Sequence, residues 1–117
     1  MDYQYAVSCR AVHVEEITLP PHSTLYASLD DVSQQPPKVV ATCIIPDVKR
    51  LGLPVQAMGL NFGLTLAKSH YTEGHKYVVN ARIETAGEVR FISKEPVTVD
   101  PTANYLRAID VELVLVD

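Results

Sequence analysis

The sequence predicts an all-β fold, an antiparallel β-sandwich of about seven or eight short strands, with a small β-barrel as the alternative. Apolar and polar residues alternate with a period of two in several short runs. Turn residues separate these runs at intervals of roughly 8 to 15 residues, which is typical of such folds. No run has the period of a long amphipathic helix. We expect residues 5–117 to fold as a single domain.

The clearest strand pattern is the stretch 74–94, which predicts an antiparallel hairpin. A two-residue loop would place Ile83 opposite Arg90 and would mix the two faces of the hairpin. A three-residue loop at 85–87 pairs Ile83 with Val89 instead and leaves a glycine at the left-handed position. We therefore predict the three-residue loop. The apolar side of the hairpin is carried by Tyr77, Val79, Ala81, Ile83, Val89 and Phe91.

The remaining predicted strands differ in which of their two faces is apolar. Residues 4–18 change their apolar side near residues 11–13, which predicts a bulge or a crossing from one sheet to another. Residues 38–45 are apolar without strict alternation, which predicts a strand that is buried on both faces or an interior strand of a sandwich. The last run should likewise be covered on both faces at its end, and the short piece between Pro96 and Pro101 should lie at an edge. Further strands are predicted at 24–31, 60–67 and 104–117, with a short extended piece at 55–57.

Charge and hydropathy exclude two classes of function. The formal net charge is -4 and the basic residues are interspersed with acidic ones, so there is no basic stripe for a phosphate backbone and we expect no nucleic-acid partner. No apolar run approaches the roughly 18 residues of a membrane span. The first residues lack the pattern of a signal peptide, which predicts a cytosolic protein or a chain that begins after a removed leader.

Cys9 and Cys43 lie in strand-like stretches, which favours two buried thiols and leaves a disulfide as the alternative. The four histidines do not have the spacing of a metal site. There is no nucleophile elbow, and the adjacent acidic pairs at 15–16 and 30–31 would point to opposite faces of a strand. We therefore predict no catalytic residue, no cofactor and no metal, and no enzymatic activity.

Six tyrosines against two phenylalanines make the aromatic composition unusual. Tyr77 falls on the inward side of the hairpin, where a buried ring with its hydroxyl at the rim is expected. Tyr26 falls on the outward side of its strand. An exposed aromatic contact surface is therefore one interpretation of Tyr26, and an isolated surface ring is the other.

Several short motifs in a fixed order carry a family resemblance. On these residues the chain resembles the YbaY/YscW-like envelope lipoprotein domain, a family that includes pilotin-type lipoproteins of type III secretion. The resemblance covers about residues 5–117. The motifs are Leu19-Pro20-Pro21, Leu29-x-Asp31-Val32-Ser33, Tyr77-x-x-x-Ala81-Arg82-Ile83 with Gly87 and Phe91, and Leu113-Val114-Leu115.

The resemblance implies a compact β-sandwich at the periplasmic side of a Gram-negative outer membrane, tethered through a lipidated N-terminal cysteine. It implies no catalytic residues. Cys9 lies within the first predicted strand and has no apolar leader before it, so we do not expect it to be the lipidated residue. A lipidated cysteine would lie upstream of the sequence given.

The expected function is a non-enzymatic envelope module that binds an outer-membrane or secretion component, as a pilotin or chaperone. Strand addition at an unpaired edge is a natural mode for such binding. The alternative is a small-molecule or glycan-binding domain, which would gather Tyr26, Tyr71 and Tyr105 in one concave site. The sequence leaves the oligomeric state open. The candidate partner-binding residues are Tyr26, Val55, Met58, Tyr71 and Tyr105.

Overall fold

Strands account for almost all regular structure in the part of the chain that the computed structural model describes, residues 4–52, 60–103, 105 and 107–116. A 3-10 helix, Lys68–His70, follows the sixth strand. None of the helical structure in these residues has the length and apolar character needed to cross a bilayer. The predicted extended piece at 55–57 lies outside the described residues. The strands are β1 (Gln4–Val12), β2 (Ile17–Thr18), β3 (Ser23–Asp31), β4 (Lys38–Ile45), β5 (Arg50–Leu51), β6 (Leu60–Ala67), β7 (Tyr77–Thr85), β8 (Glu88–Ser93), β9 (Val97–Val99) and β10 (Ile109–Leu115).

The strands form one large curved sheet and one small ribbon. The large sheet has the order β4-β3-β7-β8-β10-β1-β6, with β9 paired to the first half of β7, and β2 pairs with β5 in the ribbon. The end strands β4 and β6 approach each other, so the sheet is nearly closed into a barrel. The predicted all-β fold is confirmed, in the barrel form that was the alternative to a sandwich.

One strand pair departs from the predicted antiparallel arrangement. β10 runs parallel to β1, with Cys9 opposite Ile109 and Val12 opposite Glu112. The other ladders of the described sheet are antiparallel. β10 therefore lies between β8 and β1 in the sheet, antiparallel to β8 and parallel to β1.

The change of apolar side in the first predicted strand marks a crossing between the two sheets. β1 ends at Val12, and Ile17 then pairs with Leu51 in the ribbon. His13 fixes the crossing, because its backbone N–H donates to the carbonyl of Gly52 at 3.0 Å and its ring Nδ1 donates to the carbonyl of Leu113 at 2.7 Å. Of the two explanations offered by the sequence, the crossing is the one observed.

The inward side chains of the large sheet form one apolar core. Tyr77 is buried there as predicted, and its hydroxyl accepts the backbone N–H of Thr72 at 2.8 Å. Truncating a leucine in such a core to alanine typically lowers stability by about 2–5 kcal/mol. The largest fully buried aliphatic side chains are Leu25, Leu29, Leu51, Leu64, Leu66, Ile83, Val7, Val12, Val79, Val111 and Leu113.

The prediction that residues 38–45 are buried on both faces is wrong. β4 is the first strand of the sheet order and pairs with β3 alone. Its outward side chains Val39 and Ile44 are 56% and 61% exposed, and Cys43 and Ile45 on its inner side are only partly buried. The end of β10 is also less covered than predicted, because Leu115 is 61% exposed although it lies opposite Phe91 in the ladder with β8.

The two cysteines are free thiols. Cys9 is buried in the core on β1, and Cys43 packs against the core from β4. Burial, with a smaller effect from the neighbouring Cys43, raises the pKa of Cys9 to about 12. The interpretation of two core thiols therefore describes this structure.

The hairpin between β7 and β8 has a different loop from the one predicted. Ala86 and Gly87 both have positive φ, 52° and 85°, and form a two-residue loop. Ile83 lies opposite Phe91 and Glu84 opposite Val89, which leaves Arg90 as an extra residue in β8. This bulge returns Phe91 to the inner face after the loop. The predicted three-residue loop is wrong. That loop was needed only to avoid pairing inward with outward side chains, and the bulge at Arg90 avoids such pairs with a two-residue loop.

A buried carboxylate joins the end of β3 to the loop before β7. Asp31 is almost fully buried and accepts the backbone N–H of Ser33 at 3.0 Å, the amide of Gln34 at 2.9 Å and Nδ1 of His75 at 2.7 Å. Burial alone would raise the pKa of Asp31, but the hydrogen bonds from Gln34, His75 and Ser33 outweigh it, so that the pKa lies below its usual value. The ionised carboxylate therefore holds the β3–β4 turn against the neighbouring loop.

The left-handed backbone of Ala86 predicts that Ala86→Asn stabilises the protein. Asparagine tolerates positive φ better than alanine, and Asn-Gly is the preferred pair in this type of loop. We expect the free energy of unfolding to rise by about 0.5–1 kcal/mol in urea denaturation. As the matched control, Gly87→Ala should lower it by about 1–2 kcal/mol, since no atom lies within 4 Å of the added Cβ and only the backbone is strained. An unchanged stability in both variants would contradict the loop geometry.

The Asp31 network predicts a defined loss of stability in acid. A pKa that is lower in the folded than in the unfolded protein contributes stability above the unfolded value of about 3.9, and this contribution is lost as the pH falls through the folded value. Asp31→Asn should lower the free energy of unfolding by about 1–3 kcal/mol at neutral pH, with the difference from wild type shrinking below about pH 4. Urea denaturation across this pH range measures both effects.

The control for Asp31 is the exposed ion pair of Asp110 with Arg10, 2.9 Å apart. Asp110→Asn should change the free energy of unfolding by less than about 1 kcal/mol. If the Asp31 and Asp110 variants behave alike across the pH range, the Asp31 network does not have the role described above.

Candidate partner-binding groove

A groove crosses the outer face of the sheet formed by β4, β3, β7 and β8. We call it the outer groove. It encloses about 520 Å³ and is comparable in volume to the pockets that hold drug-sized ligands. Its lining residues are Tyr26, Ala27, Ser28, Val39, Thr42, Ile44, Asn80, Ala81, Arg82, Ile92 and Ser93.

The strand registers explain why this surface is concave. Tyr26 lies opposite Ile44 on β4 and Arg82 on β7, and Arg82 in turn lies opposite Ile92 on β8. Long outward side chains therefore form one row across four strands. The next row consists of the shorter side chains Thr42, Ser28 and Asn80, which are paired across β4, β3 and β7. A row of short side chains beside a row of long ones leaves a trough.

The outer groove exposes an unusual amount of apolar surface. Val39 and Ile44 lie on β4, and Ile92 on β8 is 44% exposed. Contiguous exposed apolar side chains in a concave surface are characteristic of a site for a protein or ligand partner. Tyr26, which the sequence places outward, is part of this surface.

Arg82 is the one charged side chain among the described lining residues. The carbon at the centre of its guanidinium lies 4.5 Å from the centre of the Tyr26 ring, a cation–π contact. Its Nε donates to Oε2 of Glu84 at 2.6 Å. The ring and the carboxylate together fix the guanidinium beside the trough.

The polar lining of the outer groove is partly engaged within the protein. The amide of Asn80 donates to Oδ2 of Asp30 at 2.9 Å, and Oγ of Ser93 bonds to the backbone of Ala81. The hydroxyls of Ser28 and Thr42 have no hydrogen-bond partner among the described residues. They can donate to or accept from a bound partner.

The other predicted tyrosines lie at the end of the barrel where β1 and β7 begin. Tyr71 stacks on Tyr77 with ring centres 5.5 Å apart and meets Tyr5 edge-on at 5.4 Å. Partial burial, followed by the nearby carboxylates of Asp100 and Glu73, raises the pKa of Tyr71. This cluster of Tyr5, Tyr71 and Tyr77 lies at that end of the barrel and is not part of the outer groove.

The three predicted partner-binding tyrosines, Tyr26, Tyr71 and Tyr105, do not lie together. Tyr105 is exposed, and its hydroxyl accepts the backbone N–H of Asp100 at 2.9 Å, beside the Tyr71 cluster. Tyr26 lies on the outer face instead, so the three rings do not form the concave site that the glycan-binding alternative requires. Val55 and Met58 lie outside the described residues.

Sequence reasoning missed Ile44, Ile92 and Arg82. Ile44 belongs to a run without alternation, and Arg82 has the character of an ordinary charge on the wet face of a hairpin. The one available signal was Ile92, an apolar residue on the outward side of β8. Among the described residues, no group of three or more histidine, cysteine or acidic side chains is positioned to hold a metal ion.

The sequence profile of a family described as type III secretion system lipoprotein chaperone (YscW) matches residues 4–113. The chain belongs to this family. The match covers β1 through most of β10, including all four strands of the outer groove. It confirms the resemblance stated from the sequence motifs, and with it the expectation of a pilotin-like lipoprotein that binds secretion components and is associated with the cell envelope.

A solved structure supports the same assignment for this YscW-family chain. An alternative pilotin from the type II secretion system of Vibrio cholerae is 27% identical, with a TM-score of 0.73, and the alignment covers 96% of this chain and 98% of that one. No curated protein sequence is significantly similar to the chain. The YscW family and the pilotin fold therefore agree, although they come from two different secretion systems.

Proposed function

We propose that this YscW-family protein acts as a pilotin-type chaperone whose outer groove binds a segment of an outer-membrane secretion component. The observation that carries the proposal is the row of outward side chains across the four strands, in which the exposed Ile44 and Ile92 lie at the two ends and Tyr26 and Arg82 lie between them. Membership of a chaperone family and similarity to a pilotin support this class of partner.

The energetics favour binding at this surface. Burying an exposed isoleucine or valine side chain contributes about 1.5–3 kcal/mol. The ring of Tyr26 adds a rigid aromatic contact, a type enriched in binding hot spots. The hydroxyls of Ser28 and Thr42 supply polar contacts on the floor of the groove. A short amphipathic segment could thus bind here with useful affinity and specificity.

Binding without catalysis is the activity that this lining supports. General acid–base catalysis needs a titratable group near the working pH, and covalent catalysis needs a nucleophile with a base beside it. The described lining of the outer groove contains no histidine, cysteine or carboxylate. Its serine and threonine hydroxyls have no base in contact with them among the described residues.

We also propose that the protein is held at the periplasmic side of the outer membrane by a lipidated cysteine upstream of β1. The family description as a lipoprotein supports this location. Cys9 is not a candidate for the lipidated residue, because it is 1% exposed within the hydrogen-bonded strand β1.

The groove is tested by the double variant Ile44→Asp/Ile92→Asp in the native host. We expect the variant to fold, since both side chains are exposed, and to fail in restoring secretion to a strain that lacks the gene. The amount of the assembled secretion complex in the outer membrane, measured by immunoblotting, should fall with it. The physical reason is that charged side chains in the apolar row would have to be desolvated on binding.

The matched control is Val89→Asp, an exposed apolar residue on β8 that does not line the outer groove. It should restore secretion as well as the wild type does. Full secretion with the Ile44/Ile92 variant would show that the partner binds elsewhere.

The location is tested by labelling the full-length precursor with a radioactive fatty acid in the native host. Label should remain in the Cys9→Ala variant, because the thiol is buried in the core. Loss of label from that variant while it stays folded would contradict the proposal, as would the absence of label from the wild type.

A further inference from the structure

We propose that the segment bound in the outer groove carries a carboxylate side chain between apolar residues, and that this carboxylate pairs with Arg82. The inference rests on the proposed function and specifies the chemistry of the partner. It follows from the position of one cation within an otherwise uncharged groove.

Arg82 has the geometry of a preorganised anion receptor. Its side chain is 49% exposed, and the central carbon of its guanidinium lies over the ring of Tyr26. A guanidinium has five N–H donors in a planar fork. The bond to Glu84 uses Nε, so donors at the terminal nitrogens remain for a second acceptor.

Closing the groove makes that second acceptor necessary. A partner that covers Ile44 and Ile92 on either side of Arg82 removes water from the terminal N–H groups. Glu84 balances the charge of Arg82 through Nε, but terminal N–H donors that are buried without acceptors would still be unfavourable. A carboxylate matches the fork in both charge and shape. A basic side chain has no acceptor to offer these donors, and a wholly apolar segment would also leave them unsatisfied.

The experiment is a selection of random peptides displayed on phage against the purified wild-type chain and against Arg82→Glu. Peptides selected by the wild type should carry Asp or Glu flanked by apolar residues. Peptides selected by Arg82→Glu should carry Lys or Arg at the same position. Arg90→Glu is the matched control, because Arg90 is similarly exposed, at 51%, and lies outside the outer groove, 4.0 Å from Glu88. It should select the same peptides as the wild type.

Affinities measured with the selected peptides give the size of the effect. A wild-type-selected peptide should bind Arg82→Glu about ten- to hundredfold more weakly, the range for a lost hydrogen bond to a charged group. Replacing its acidic residue by lysine should restore binding to Arg82→Glu. Arg82→Gln keeps the length of the side chain without its charge and should lose the acidic preference, which provides a second variant if Arg82→Glu fails to fold.

The outcomes separate this inference from the proposed function. Peptides without an acidic preference that still lose binding to Ile44→Asp/Ile92→Asp would overturn the pairing with Arg82 and leave the groove as the binding site. Peptides whose binding is unaffected by the Ile44/Ile92 variant would overturn the groove itself.

Discussion

The sheet is built almost as a barrel, yet its two end strands are not joined by a ladder. β4 and β6 approach each other in antiparallel directions, and each is hydrogen-bonded on its other side, to β3 and β1 respectively. An edge strand with apolar side chains on both faces is normally avoided, because it invites pairing with other chains. β4 has Lys38 as its only charge and contains no proline. The exposed apolar side chains Val39 and Ile44 of the outer groove lie on this uncovered strand.

The unclosed sheet also explains why the apolar surface lies where it does. A complete ladder between β4 and β6 would bury the inner side of β4, as it does for β1 and β6, where Val7 and Leu64 are fully buried. Instead, the inner residues of β4 are only partly covered, and its outer residues line the groove. The same strand thus limits the core and supplies much of the binding surface.

Strict alternation was sufficient to predict several strands from sequence. β3 and β6 are found where the sequence predicts them, from Leu25 and Leu29 and from Leu64 and Leu66. In each strand one face is more buried than the other, so apolar residues recur at every second position. β4 was misjudged, because an apolar run has the same pattern whether the strand is covered on both faces or uncovered at an edge. The hairpin register failed for a different reason. The bulge at Arg90 is a feature of the backbone, and the alternation of side chains in the sequence does not indicate it.

Only Tyr26 of the outer groove was predicted, since the site depends on register between strands far apart in sequence. Ile44, Tyr26, Arg82 and Ile92 become neighbours through three ladders, and one of these contains the unforeseen bulge. Knowledge of each strand alone does not bring them together. Tyr71 and Tyr105 lie away from the outer groove. Tyr71 stacks on Tyr77, and the hydroxyl of Tyr105 accepts the backbone N–H of Asp100.

In the proposed complex, Arg82 supplies a specificity that the exposed apolar side chains of the outer groove lack. Its guanidinium covers one face of Tyr26 and places a charge in the middle of the apolar row. Glu84 takes up the Nε donor of Arg82, so the terminal N–H groups are the donors left for a bound segment. A segment with a carboxylate satisfies these donors, whereas an apolar or basic segment does not. One side chain thus favours a complementary segment, which apolar contacts alone do not distinguish.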